Sequence, residues 1–156
     1  TMFTLLIERE PVSVNSKANH SDYEQELLSL MKQRYPLQHG RKTHFAYSDK
    51  LYVQLIYICK NRCERDIDNI LKYTIDSFCK FLYRDDHQIG YALSQSIVCK
   101  DNNLTGINIS YFDKDIAARL LDFIESQDRN WKSCTYFECG LMTDKFYHFK
   151  LEDIWK

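Results

Sequence analysis

A chain of 156 residues is long enough for one domain with an apolar core of its own. Hydrophobic residues make up 44% and charged residues 28%, which excludes a disordered polymer, and no apolar run approaches the roughly 18 residues of a membrane span. The net charge of −1 lacks the basic excess that phosphate contacts usually leave, and the acid is weighted towards the tail: residues 1–112 hold 14 Lys and Arg against 13 Asp and Glu, residues 113–156 hold 7 against 9.

Thr1 reads as an addition before a natural start at Met2, and no basic-then-apolar leader follows, so a cytosolic, membrane-free protein is expected. Met2 to Glu8 alternates as a first strand. The proline-led segment Pro11-Val12-Ser13-Val14-Asn15-Ser16-Lys17 breaks it into a loop. From Ser21 or Asp22 as N-cap, Tyr23, Leu27, Leu28, Leu30 and Met31 recur at helical spacing until Pro36. Leu51 to Cys59 is rich in Val, Ile and Tyr and predicts a strand. A second helix starts near Asp66 and ends by Tyr83, with Ile67, Ile70, Leu71, Ile75, Phe78 and Leu82 as its apolar stripe. Residues 88–100 and 104–112 predict a hairpin about an Asp101-Asn102-Asn103 turn. Asp113 caps a further helix through Ser126. The last thirty residues carry Trp131, Tyr136, Phe137, Phe146, Tyr147, Phe149 and Trp155, which should pack against the rest of the fold.

This order predicts an α+β domain, a small mixed or antiparallel sheet with helices on one face. Residues 1–112 form the core and residues 113–156 a C-terminal helical and aromatic extension packed on it. The six cysteines sit mostly in apolar segments and read as reduced, buried thiols, with a zinc site on Cys59, Cys63, Cys134 and Cys139 as the less favoured alternative.

The chemistry-bearing stretch runs from Arg65 to Lys72, continues through Asp76 and ends at Arg84-Asp85-Asp86-His87-Gln88-Ile89. Two residues apart in an extended entry to the helix, Asp66 and Asp68 project the same way. Lys72 lies one turn after Asp68 on the same face. The Asp85-Asp86 turn falls at the far end of that helix, so either a strand returns a carboxylate to the Asp66 end or a second protomer supplies it. Lys60, Arg62, Arg65, Lys72, Lys80 and Arg84 gather around the motif.

The string DxDNxxKxxxD, followed by DDxQI and preceded by Pro-Val-Ser-Val-Asn after the first strand, resembles the RusA family of Holliday-junction resolvases over residues 3 to 112. The resemblance implies a homodimeric nuclease that cuts four-way or otherwise branched DNA. It implies metal-binding acids at Asp66, Asp68 and Asp86 and an essential lysine at Lys72; Asp85, a further candidate ligand, and Gln88 match the motif too, with roles that it leaves open. Mg²⁺ is the expected ion, with Mn²⁺ able to substitute, because hard oxygen donors suit both. Asn15, Lys17, Arg65 and Lys72 are the candidate DNA contacts.

Bland alternatives stand beside these roles. Asp66 and Asp68 also suit an N-cap and a first helical turn, where they would favour the helix dipole. An Asp-Asp turn is commonplace, and His87 reads as a surface residue as readily as a base. Against the family's habit the chain is near neutral, has four glycines and continues past residue 112, so a non-catalytic nucleic-acid-binding module on the same fold is the alternative function.

Overall fold

The computed structural model describes residues 2–12, 17–100, 104, 113–126, 130–146 and 149–155, with only the backbone of 17–19. In chain order the elements are β1 (Met2–Ile7), α1 (Lys17–Arg34), β2 (Leu51–Cys59), α2 (Ile67–Phe78), a 3-10 turn (Asp86–Gln88), β3 (Ile89–Val98), α3 (Lys114–Ser126) and β4 (Ser133–Leu141). Among the described residues they build one four-stranded mixed sheet in the order β1-β4-β2-β3. β4 is antiparallel to both neighbours, whereas β3 runs parallel to β2. The fold is therefore α+β, as the element order predicts.

β2 carries nine consecutive buried residues because both sheet faces are covered, the situation in which alternation gives way to an apolar run. On one face Phe3, Leu5, Ile7, Val53, Phe137 and Cys139 pack against Tyr23, Leu27 and Met31 of α1 and Phe78 of α2. Further along that face Leu55, Tyr57 and Cys59 meet Ile70, Ile67 and Leu71. On the other face Leu6, Ile56, Ile58, Ile97 and Tyr136 pack under Ile116, Leu120, Phe123 and Ile124 of α3. Burying each large side chain contributes about 1.5–3 kcal/mol. Helices thus cover both faces, where the sequence predicts one, because α3 crosses to the side that α1 and α2 leave open.

The role expected of residues 113–156 changes most. β4 lies between β1 and β2 and pairs with each along its length, so this segment completes the sheet instead of decorating it. Gly140 is required there, since a Cβ at that position would stand 2.9 Å from the ring of Tyr52. Of the late aromatics, Trp131, Tyr136 and Phe137 are buried and Phe146 packs on Tyr52 and Tyr91, but Phe149 and Trp155 are exposed. The second half of the expected hairpin, residues 105–112, lies outside the described residues, as does Asn15; of Lys17 only its place at the start of α1 is described.

α1 starts at Lys17, four residues before the expected cap. α2 stops at Phe78, five residues short of Tyr83, because Cys79 is extended and Lys80 turns left-handed at φ 74°. Cys59 and Cys63 form a disulfide, while Cys79, Cys99, Cys134 and Cys139 remain thiols. The bridge corrects the all-thiol reading. It also removes the zinc alternative, since two of its four thiolates are consumed and Cys134 and Cys139 lie in clusters on opposite sheet faces. No helix among the described residues is long and apolar enough to cross a membrane.

Candidate active site

α2 links two parallel strands, β2 and β3, so it runs back along the sheet. Its first turns pack on the end of β2 and its last turn on the beginning, where Phe78 joins the cluster of Leu51 and Val53. The Ser94 hydroxyl donates 3.2 Å to the Ile67 carbonyl and fastens the start of α2 to the middle of β3. A helix of twelve residues spans about 18 Å. Asp66 and Asp68 therefore stand at one end of α2, and Asp85 and Asp86, just before β3, at the other. Within one chain the three expected metal-binding acids are not gathered, and β3 does not return Asp86 to the Asp66 end.

Asp66 occupies the N-cap position of α2 with extended backbone (φ −78°, ψ 122°), yet its side chain makes no capping hydrogen bond. Asp66, Asp68 and Lys72 are exposed. No carboxylate or ammonium of this trio forms an ion pair or side-chain hydrogen bond among the described residues, so all three groups remain available to a ligand. Arg65 is differently placed. Its Nε donates 3.1 Å to the Pro11 carbonyl and its guanidinium lies 3.7 Å from Glu10, so it pins the loop after β1 against the entry to α2. That docking brings Glu10 and Pro11 beside the first acidic motif.

The second motif resolves into a half that builds the turn and a half left exposed. Asp85 caps the 3-10 turn by accepting from the His87 backbone N–H at 2.9 Å, and the Gln88 side chain accepts in return from the Asp85 N–H, a reciprocal capping box. Buried Gln88 also accepts from the Arg84 N–H and donates to the carbonyls of Ala46 and Asp49, tying the turn to the loop before β2. His87 Nδ1 lies 2.6 Å from Asp85 and 3.4 Å from Asp86. The His87 backbone N–H, then its imidazole, hold the Asp85 carboxyl at about 2, and Asp85 in turn raises the imidazole above its ordinary value. Asp85 and Gln88 thus set the spacing of the DDxQ motif, and Asp86 is the acid left exposed.

Asp85, Asp86 and His87 could together offer a cation three atoms within 4.8 Å of one another. Carboxylates suit Mg²⁺ or Mn²⁺, whereas an imidazole suits transition metals better. Because Asp85 is engaged with His87, the donor set fits a hard ion only through Asp86 unless further acids join it. Asp66 and Asp68 carry the oxygen donors that such an ion would prefer.

Sequence reasoning missed Glu138, which is fully buried in β4. Its Oε2 accepts from the Tyr52 hydroxyl at 2.7 Å and from Lys145 Nζ at 2.6 Å, and its Oε1 accepts from the Tyr136 hydroxyl at 2.6 Å. Burial first, and then the bond to Glu138, push the pKa of both phenols well up, so both stay protonated. A lone acid amid Thr135-Tyr136-Phe137 and Cys139-Gly140-Leu141 is the signal that could have found it. No family model matches this chain, and no curated protein matches it.

Proposed function

We propose that the protein is a divalent-metal-dependent endonuclease acting on branched DNA as a homodimer, in keeping with its resemblance to the RusA resolvases. The observation that carries this reading is the division of exposed acids: Asp66 and Asp68 at the start of α2, with Lys72 one turn after Asp68, and Asp86, which the Asp85 cap leaves exposed next to His87, beyond the other end. A two-fold axis can set such opposite ends side by side. Each active site would then combine Asp66, Asp68 and Lys72 of one chain with the partner's Asp86.

A bound Mg²⁺ or Mn²⁺ would activate water near neutral pH and offset charge on the phosphorane-like transition state. Asp66, Asp68 and Asp86 would hold it. Lys72 would neutralise a non-bridging phosphate oxygen as charge builds there, a role suited to a compact ammonium on an exposed helical face. Arg65 would hold Glu10 and Pro11 against the entry to α2.

The test is cleavage of labelled four-way junctions, flaps and linear duplex in Mg²⁺. Asp68→Asn and Asp86→Asn should each abolish nicking while binding survives. Mixing and refolding the two inactive variants should restore about a quarter of the wild-type rate, because about half the dimers are mixed and each of those holds one intact site. Persistent inactivity of the mixture would remove the shared site, and wild-type protein that nicks no substrate in either ion would remove the nuclease.

The separation of the acids within one chain is also what favours the alternative, a nucleic-acid-binding module without catalysis. Thermal melting with Mg²⁺ or Mn²⁺ distinguishes them, since an ion bound only by the native state raises stability.

A further inference from the structure

A second feature lies beyond the C-terminal end of α2. Arg41, Lys42, Lys80 and Arg84 line a groove of about 550 Å³ that contains no acidic residue. It meets a neighbouring groove of about 520 Å³ at Lys42 and Lys80, where Lys32 is added and again no acid appears. None of these five cations is in an ion pair among the described residues. Like charges held together repel, and a chain of net charge −1 has acids enough to pair them, so leaving them unpaired keeps a positive field open to an anion.

Two further observations specify the ligand. Tyr47, 61% exposed, stands at the groove with the Arg84 guanidinium 5.0 Å from its ring centroid. Unpaired bases stack on aromatic rings and guanidinium planes of this kind, whereas a phosphate alone gains nothing from the ring. Lys80 takes φ 74°, the left-handed conformation that a residue with a β-carbon avoids and glycine adopts freely. Its N–H donates 2.7 Å to the Tyr83 carbonyl in the tight turn after α2, so the turn itself calls for glycine. A lysine in a conformation that glycine would adopt with less strain puts an ammonium on the groove at a conformational cost.

The groove is rigid on one side. Phe45 is buried, and the His44 and Phe45 N–H groups donate to the carbonyls of Phe81 and Leu82 at 3.0 and 2.8 Å, which fastens the Arg41–Tyr47 wall to the Lys80–Arg84 wall. Its volume lies in the range of about 300–1,000 Å³ typical of small-ligand sites.

We propose that this groove binds an unpaired single strand of nucleic acid, with Lys42, Lys80 and Arg41 on successive phosphates and a base stacked on the Tyr47–Arg84 pair. The site is distinct from the acids at the start of α2 and does not depend on cleavage.

Fluorescence anisotropy with fluorescein-labelled (dT)10 in EDTA measures strand binding without any metal at the acids, and variants of groove residues show how much of it belongs to the groove. Wild-type protein should bind, with affinity falling as salt rises. Lys80→Gly should weaken binding and flatten the logarithmic salt dependence by about 0.7 while its melting temperature stays level or rises, because glycine relieves the turn. Tyr47→Ala should weaken binding at least about fivefold through the lost stack. Absence of binding, or binding that both variants leave intact, overturns the proposal. Full affinity in Tyr47→Ala, or competition by inorganic polyphosphate as effective as that by unlabelled (dT)10, also overturns it, since the groove would then be a site for polyanions at large. Loss of junction cleavage with groove binding intact counts only against the nuclease, and the reverse only against the groove.

Discussion

Lys145 donates a 2.6 Å hydrogen bond to the carboxylate of Glu138, a residue with no exposed surface in the strand at the middle of the sheet. The same ammonium reaches Gln54 of β2 at 3.1 Å, so it links the turn after β4 to both central strands. Removing one member of such a pair leaves a buried charge short of its partner. Lys145→Met should therefore cost about 3 kcal/mol in urea unfolding. Replacing both members, as Glu138→Leu with Lys145→Met, should cost less than the single changes added together, because no uncompensated charge then remains. Strict additivity in that cycle would show that the contact carries no stabilisation.

How far this fold can be read from sequence depends on which faces are covered. β2 is legible because Leu51 to Cys59 is apolar almost throughout, and α2 because Ile67, Ile70 and Phe78 keep helical spacing. β4 is not, since Ser133 to Leu141 is buried on both faces and places Thr135 and Glu138 where alternation would have marked a strand. The acids are legible as a set, as is the place of Asp85 and Asp86 at the far end of α2, but the separate roles within the second motif are not. The DDxQ spacing looks like one chemical motif, and only the hydrogen bonds show that Asp85 and Gln88 build the turn while Asp86 is left over. The Arg41–Arg84 groove escaped notice because its walls lie about forty residues apart in sequence.

The Asp85–His87 pair makes a prediction about pH. Asp85 raises the His87 imidazole above its ordinary value, chiefly through their hydrogen bond. A raised folded value means that this contribution to stability is complete below the unfolded imidazole value of about 6.5 and is lost as pH climbs through the folded midpoint. Asp85 has the opposite sense: held at about 2, it contributes above the ordinary carboxylate range and loses that contribution as pH falls towards 2. An NMR titration should place the His87 midpoint above 6.5 in the wild type and lower in Asp85→Asn, whose amide oxygen can still cap the turn. Equal midpoints in the two proteins would sever the pair.

The Cys59–Cys63 bridge joins the last residue of β2 to the loop that leads into Asp66, with Cα atoms 5.4 Å apart. Closing so short a loop restrains the unfolded chain by about 2 kcal/mol on the chain-entropy account, a small share for one disulfide. Its larger effect is local, because residues 60–66 cross from a buried strand end to an exposed N-cap and the bridge shortens the part free to move. Thiol counting in denaturant should find four reactive groups before reduction and six after, since Cys79, Cys99, Cys134 and Cys139 remain thiols. Reduction, or the double change Cys59→Ser with Cys63→Ser, should lower the melting temperature by a few degrees and reduce protection from hydrogen exchange between Lys60 and Asp66 more than in β2. Six thiols in the untreated protein would remove the bridge, and uniform loss of protection across the sheet would show that it supports the whole fold instead of positioning Asp66.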